Sequence, residues 1–162
     1  MFSLFYILYL LKIEKMAEKS GNTEERVQIA IVNYIKLQYP NTLFTATMGG
    51  QFQKHFSQRL KAKRTGYLKG VSDLLIFEPN EKHKGLFIEL KKDKKCYASK
   101  EQKEFITKAL DRGYYGVVAK GFEQCKEIID KYFKNELWWI RVNTITTTLE
   151  TALAVVLVYV ER

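Results

Sequence analysis

Ser72-Asp73-Leu74-Leu75-Ile76-Phe77 and Leu86-Phe87-Ile88-Glu89-Leu90-Lys91 are two apolar runs separated by the polar stretch Glu78-Pro79-Asn80-Glu81-Lys82-His83-Lys84-Gly85. Runs of Leu, Ile and Phe of this length read as strands, and the Pro-Asn and Gly-ended stretch between them reads as a turn, so the segment predicts a hairpin. Asp73 opens the first strand and Glu89 closes the second, which brings both carboxylates to the same end of the pair. Two carboxylates bind a hard divalent cation through oxygen, and Lys91, two residues on and hence on the same strand face as Glu89, can hold a phosphate or a water. The pairing imposes a condition. Directly opposed residues share a face, so Asp73 and Glu89 converge only in a register such as 73 opposite 89, whereas a turn centred symmetrically on residues 78–85 gives the other parity. A bulge or a turn one residue longer on one side is required, and it is expected within residues 71–74.

Outward from the hairpin, Asn22 and Thr23 are N-cap residues. Glu24 and Glu25 suit a first turn, and Val27, Ala30, Ile31, Tyr34 and Ile35 recur at helical spacing up to Tyr39-Pro40. Residues 43–47 have strand propensity and run into Gly49-Gly50. Residues 54–69 carry Lys54, Arg59, Lys61, Lys63, Arg64 and Lys69 without one acid and read as a basic loop. After the hairpin, Ser99 and Gln102 form a capping-box pattern that opens a helix with Phe105, Ile106, Ala109 and Leu110 on one side, ended by Gly113. A strand over 114–119 follows. Gly121 then leads into a last amphipathic helix through Phe122, Cys125, Ile128, Ile129, Tyr132 and Phe133. The predicted order is helix, three strands, helix, strand, helix, an α/β arrangement.

That order, with Gly70-Val71-Ser72-Asp73, Glu89-Leu90-Lys91 and Ser99-Lys100-Glu101-Gln102, resembles the VRR-NUC family of the PD-(D/E)xK nuclease superfamily over residues 23–133. The resemblance implies a restriction-endonuclease-like αβββαβ core with a mixed four-stranded sheet flanked by helices. It also implies metal-dependent hydrolysis of DNA phosphodiesters, with relatives among phage, bacterial and DNA-repair nucleases that often prefer branched or flapped structures. Carried onto this sequence, Asp73 and Glu89 resemble the metal-binding carboxylates and Lys91 the catalytic lysine. Glu24, four residues before Gln28, resembles the first-helix acid, with Glu25 as its neighbour in competition, and Gln102 falls where the family has a glutamine. Ser72 departs from the pattern, since the superfamily name puts proline there. An ExK tripeptide by itself is weak, because Glu101-Gln102-Lys103 is a second one inside a predicted helix, where its members diverge around the axis. The strand-end placement of the first, with Asp73 on the neighbouring strand, separates the two.

The site so predicted holds Mg²⁺ or Mn²⁺ between Asp73, Glu89 and the Leu90 backbone carbonyl. Lys and Arg outnumber Asp and Glu by 27 to 18, a formal net charge of +9, which favours a polyanionic partner, here DNA. The basic residues of 54–69, together with Lys92, Lys94 and Lys95 beyond the second strand, are candidates for phosphate contacts that position a backbone without reading bases. Tyr97, Tyr114 and Tyr115 offer rings for stacking, or for core and rim packing. Two alternatives stay open: a nuclease-like shell that binds nucleic acid without cutting, and a membrane-surface adaptor.

The second alternative rests on residues 2–11, in which only Ser3 is polar; the run is too short to cross a bilayer as a helix. Met16-Ala17-Glu18-Lys19 reads as a second start, so residues 1–15 are expected to lie outside the fold, 16–135 to form the nuclease-like domain and 136–162 to be a C-terminal extension. Cys96 and Cys125 have no CxxC or zinc spacing, which argues against a disulfide framework or a zinc site and for a reducing cytoplasm. No residue decides for or against a homodimer.

Overall fold

The computed structural model describes residues 4–18, 23–47, 55–93 and 95–137. Along the chain run α1 (Leu4–Glu18), α2 (Glu24–Gln38), β1 (Phe44–Ala46), α3 (Phe56–Arg64), β2 (Leu74–Ile76), β3 (Leu86–Lys91), α4 (Lys100–Leu110), β4 (Tyr115–Lys120) and α5 (Gly121–Phe133). The strands form one mixed sheet in the order β1-β2-β3-β4, antiparallel from β1 to β3 and parallel between β3 and β4. The αβββαβ core expected from the sequence is present, with α1 and α3 in addition.

β3 decides where the layers go. All six of its residues are buried, so both of its faces are covered. On one face Ile88 and Leu90 join Leu74, Ile76, Val117 and Ala119 in the core cluster. Val27, Ala30, Ile31 and Ile35 of α2 and Phe122, Cys125, Ile128, Ile129 and Tyr132 of α5 complete it. Burying side chains of this kind is worth about 1.5–3 kcal/mol each. On the other face Phe87 stacks against Phe105 of α4, with ring centroids 5.9 Å apart, and against Tyr114 at 4.6 Å. Glu89 and Lys91 alternate with Ile88 and Leu90 and therefore belong to the Phe87 side, that of α4.

The register meets the condition set by the sequence. Leu74 pairs with Ile88 and Ile76 with Leu86, which continues to Asp73 opposite Glu89. The expected bulge at residues 71–74 is not the means. β2 is short and ends at Ile76, so the turn begins at Phe77 and the extra residue belongs to the turn.

Two further expectations are corrected. Residues 1–15 do not lie wholly outside the fold, because Ile13 of α1 is 2% exposed within the core cluster and Leu10 packs against it. The sequence hid this because the run is apolar almost all round and shows no helical period. The basic segment is not simply a loop, since residues 56–64 form α3, which buries none of its residues. Gln58 accepts the His55 N–H at 3.1 Å, and Leu60, Ala62 and the long basic side chains are good helix formers, yet no apolar stripe announces the helix. The expected C-terminal extension lies outside the described residues from 138 onward, while Leu137 is buried against the core.

Gly70 fixes the approach to β2. Its φ is +84°, and a Cβ there would lie 2.5 Å from the carbonyl carbon and oxygen of Glu101 and 2.8 Å from the Gln102 nitrogen, so the chain rests directly on the first turn of α4. Gly66 has φ +91° with nothing within 4 Å of such an atom. Gly66→Ala should therefore cost only the left-handed conformation, about 1 kcal/mol, while Gly70→Ala adds a backbone collision and should cost about 2–4 kcal/mol. Urea unfolding of the two variants measures the difference; equal losses would mean that the contact with α4 is not tight.

Candidate active site

Four elements deliver five side chains to the end of β3. β3 itself carries Glu89 and Lys91, the chain entering β2 carries Asp73, α4 carries Gln102 in its first turn and α2 carries Glu24 in its own. Lys91 is 6% exposed, and its ammonium lies 2.7 Å from Glu89 Oε1, 3.0 Å from the Leu90 carbonyl oxygen and 3.7 Å from Glu24 Oε1. The Leu90 N–H donates to Asp73 Oδ2 at 2.8 Å, a bond that the 73-opposite-89 register makes available. Gln102 Nε2 donates to Glu89 Oε1.

The orientation of Gln102 is not free. Its Oε1 accepts the Ser99 N–H at 2.8 Å, and the Ser99 hydroxyl accepts the Gln102 N–H at 3.3 Å, which is the capping box read from the sequence. With its oxygen held by the helix start, the amide can present only its NH₂ to Glu89. The capping role and the site role are thus carried by one residue. Lys69 pairs with Glu101 alongside, adding a charged tie between the segment after α3 and the same turn of α4.

The structure selects Glu24 over Glu25 as the acid of α2 facing Lys91. Gln28, one turn on, donates to the carbonyls of Thr47 at 2.9 Å and Asp73 at 3.4 Å, and the Thr47 hydroxyl donates to the Ser72 carbonyl at 3.0 Å. These bonds tie α2 and the end of β1 to the residues that aim Asp73. The sequence offered only the four-residue spacing of Glu24 and Gln28 as a sign of this, since backbone acceptors have no side-chain signature.

Burial leaves the carboxylates unevenly satisfied. Glu89 is 0% exposed; its Oε1 receives both Lys91 and Gln102, and among the described residues its Oε2 has no hydrogen-bond partner. Burial, and then the charge of Asp73, push the Glu89 carboxyl up to about 8 against the pull of Lys91. Asp73 is also raised, by burial, although the Leu90 N–H, Glu89 and Lys91 oppose the shift. For Lys91, burial works to lower the pKa, but the hydrogen bond and charge of Glu89, with Glu24 and Asp73, outweigh it and hold the amine above its ordinary value.

Among the described residues no three His, Cys, Asp or Glu side chains cluster closely enough to hold an ion by themselves. The oxygens that converge are Glu89 Oε1 and the Leu90 carbonyl, both on the Lys91 ammonium, with the Asp73 carboxylate bonded to the Leu90 N–H. The ammonium is a stand-in cation among oxygens, and Glu89 Oε2 is a buried acceptor left over. This donor set suits a hard ion that takes one or two carboxylates and completes its shell with water.

The cationic residues expected to meet phosphates lie outside this cluster. Arg59, Lys61, Lys63 and Arg64 are exposed along α3, and Lys69, Lys92 and Lys95 are exposed in the segments leading from it and from β3. Lys54 and Lys94 lie outside the described residues. No helix among the described residues is long and apolar enough to cross a membrane.

Comparison with known proteins follows the same lines. The model of the VRR-NUC domain matches residues 12–123. A solved structure described as a VRR_NUC domain protein superposes with a TM-score of 0.60 at 31% identity, covering 71% of this chain and 91% of that one. Another, described as a VRR_NUC domain, gives 0.43 at 22% identity over 67% of this chain and 96% of that one. No curated protein matches the chain.

The pKa shifts set a pH dependence. Glu89 and Asp73 titrate higher folded than unfolded, so the folded state binds more protons. The stabilisation from Glu89 is complete below its ordinary value of 4.5 and is lost as pH rises through about 8. Metal-free protein should therefore lose Tm across this window. Glu89→Gln, uncharged throughout, should flatten the curve between about pH 5 and 8. Calorimetry in EDTA checks this, and parallel curves for the two proteins would show that the carboxyl pair holds no such proton.

Proposed function

Because this chain belongs to the VRR-NUC domain family, a family of nuclease domains, we propose that it is a Mg²⁺- or Mn²⁺-dependent nuclease that hydrolyses DNA phosphodiester bonds at branched, flapped or end structures. The observation that carries this reading is the buried Lys91 ammonium held by Glu89 Oε1 and the Leu90 carbonyl, with Asp73 on the Leu90 N–H and Glu89 Oε2 without a hydrogen-bond partner among the described residues.

Asp73, Glu89 and the Leu90 carbonyl are the residues that would hold the ion, which when bound supplies an acidified water and neutralises phosphate charge. The chain does the positioning. Gln102 fixes one oxygen of Glu89, so that Oε2 is the one left to bind. The Leu90 N–H fixes one oxygen of Asp73, and Gln28 holds the Asp73 backbone. Lys91 places a positive charge beside the same oxygens, where it orients a water or offsets charge building on the phosphate in the transition state. Glu24, half exposed and 3.7 Å from Lys91, faces the open side and can hold an outer water or a second ion. Arg59, Lys61, Lys63, Arg64, Lys69, Lys92 and Lys95 supply phosphate contacts to hold the substrate. Such contacts read no bases, in keeping with selection by shape rather than by a long sequence.

Cleavage of branched, flapped and linear DNA in Mg²⁺, Mn²⁺ or EDTA tests the reading. Activity should require the ion and fall about 100-fold or more in Asp73→Ala and in Lys91→Ala. Equal activity in the variants would point to a contaminant, and binding without cutting would reduce the protein to a nucleic-acid-binding shell. If the cations neutralise about five phosphates, affinity for duplex DNA should fall with salt at a log–log slope near −4 to −5, measured by anisotropy with an inactive variant. Salt-independent binding would remove the electrostatic hold.

A further inference from the structure

Of the three tyrosines that the sequence offered for stacking, two are used inside the fold. Tyr114 stacks on Phe87 at 4.6 Å, and Tyr115 is 9% exposed beside His83. Tyr97 is different. It lies in the segment between β3 and α4, it is 70% exposed, and the Lys120 ammonium sits over its ring, 4.7 Å from the centroid. An ammonium over the ring holds the side chain in place, while this degree of exposure leaves the opposite face open to a planar partner.

Its location follows from the sheet. Lys120 pairs with Lys91 in the parallel register of β3 and β4, so the two side chains leave neighbouring strands on the same face. Tyr97 is thus carried at the end of the sheet where Glu89 and Lys91 stand, two residues before the Ser99 cap of the helix that delivers Gln102. Its surroundings are basic, with exposed Lys92, Lys95 and Lys100 and, among the described residues of this loop, only Asp93 as an acid. A ring interleaved with cations suits an unpaired nucleotide, because the bases of a duplex are already stacked on one another while every unpaired base offers a free face.

We propose that Tyr97 is a stacking platform for an unpaired base of the substrate, a specificity-determining residue at the end of the sheet that carries Glu89 and Lys91. The inference rests on the nuclease reading and adds to it the residue that distinguishes an arm from blunt duplex. The base stacks on the open face of Tyr97 as the adjoining phosphates meet the loop lysines and Lys91.

The test uses the full chain, Ca²⁺ in place of Mg²⁺, and a duplex carrying an unpaired arm with 2-aminopurine beside the junction, compared with a blunt duplex of equal length. Binding should quench the arm's fluorescence. Tyr97→Ala should lose the quench and weaken binding of the armed DNA about tenfold more than that of the blunt DNA, and Tyr97→Phe should restore both. Because Tyr97 is exposed, the variants should unfold at the wild-type temperature. A quench that survives in Tyr97→Ala, or equal weakening of both DNAs, overturns the proposal. If wild type cuts DNA in Mg²⁺ but shows no quench, the platform is wrong and the nuclease reading stands. If no DNA is bound or cut under any condition, that reading falls and takes the platform with it.

Discussion

Glu89 is a carboxylate with no exposed surface at the end of a strand buried on both faces, and the rest of the site is arranged around that fact. An unpaired buried charge costs several kcal/mol or neutralises itself by taking a proton. Here the compensation is partial: Lys91 and Gln102 both go to Oε1, no hydrogen-bond donor reaches Oε2 among the described residues, and the charge of Asp73 raises the carboxyl further. The upward shift of the Glu89 pKa is the direct expression of that imbalance. A structural ion pair would be expected to satisfy both oxygens. The buried acceptor left open among the described residues is the feature on which the proposed ion site rests.

The precision of the cluster comes from the backbone more than from the charged groups. Asp73 is aimed by a strand register, by the Leu90 N–H and by Gln28 on its own carbonyl, while Gln102 is aimed by a helix cap. Gly70 links the two, because its missing side chain lets the chain that ends in Asp73 lie on the turn that begins with Glu101 and Gln102. A shift of either element moves Asp73 and Gln102 together. Catalytic groups on independent loops would drift separately, and misplacement of about 1 Å can cost about 100-fold in rate.

Much of this was legible in the sequence, for reasons that differ from residue to residue. The apolar runs at 74–77 and 86–90 gave the central hairpin because strands buried on one or both faces need such runs, and Ser99 with Gln102 gave the start of α4 because a capping box is local chemistry. The parity argument required Asp73 opposite Glu89 but misplaced the adjusting residue, since pattern alone cannot tell a bulge in a strand from a longer turn. α1 and α3 were missed for opposite reasons. The first is apolar nearly all round and the second exposed all round, so neither has the contrast between faces that marks a helix. Gln28 was visible as a neighbour of Glu24, but its role depends on two carbonyls from distant segments, which no sequence pattern records.

The position of Lys91 bears on how the carboxylates stay assembled. Classical structural zinc modules are unfolded without metal, because their ligands have no other reason to meet. In this protein the polar side chains are brought together by β3, by the register of β2 and by the cap of α4, and the Lys91 ammonium lies at hydrogen-bond distance from Glu89 Oε1 and the Leu90 carbonyl. The lysine offsets part of the negative charge, and among the described residues Glu89 Oε2 has no hydrogen-bond partner. On the proposed reading, a site preassembled in this way loses little conformational freedom on binding, so the energy of its polar contacts would go to orienting substrate and stabilising charge rather than to ordering the protein.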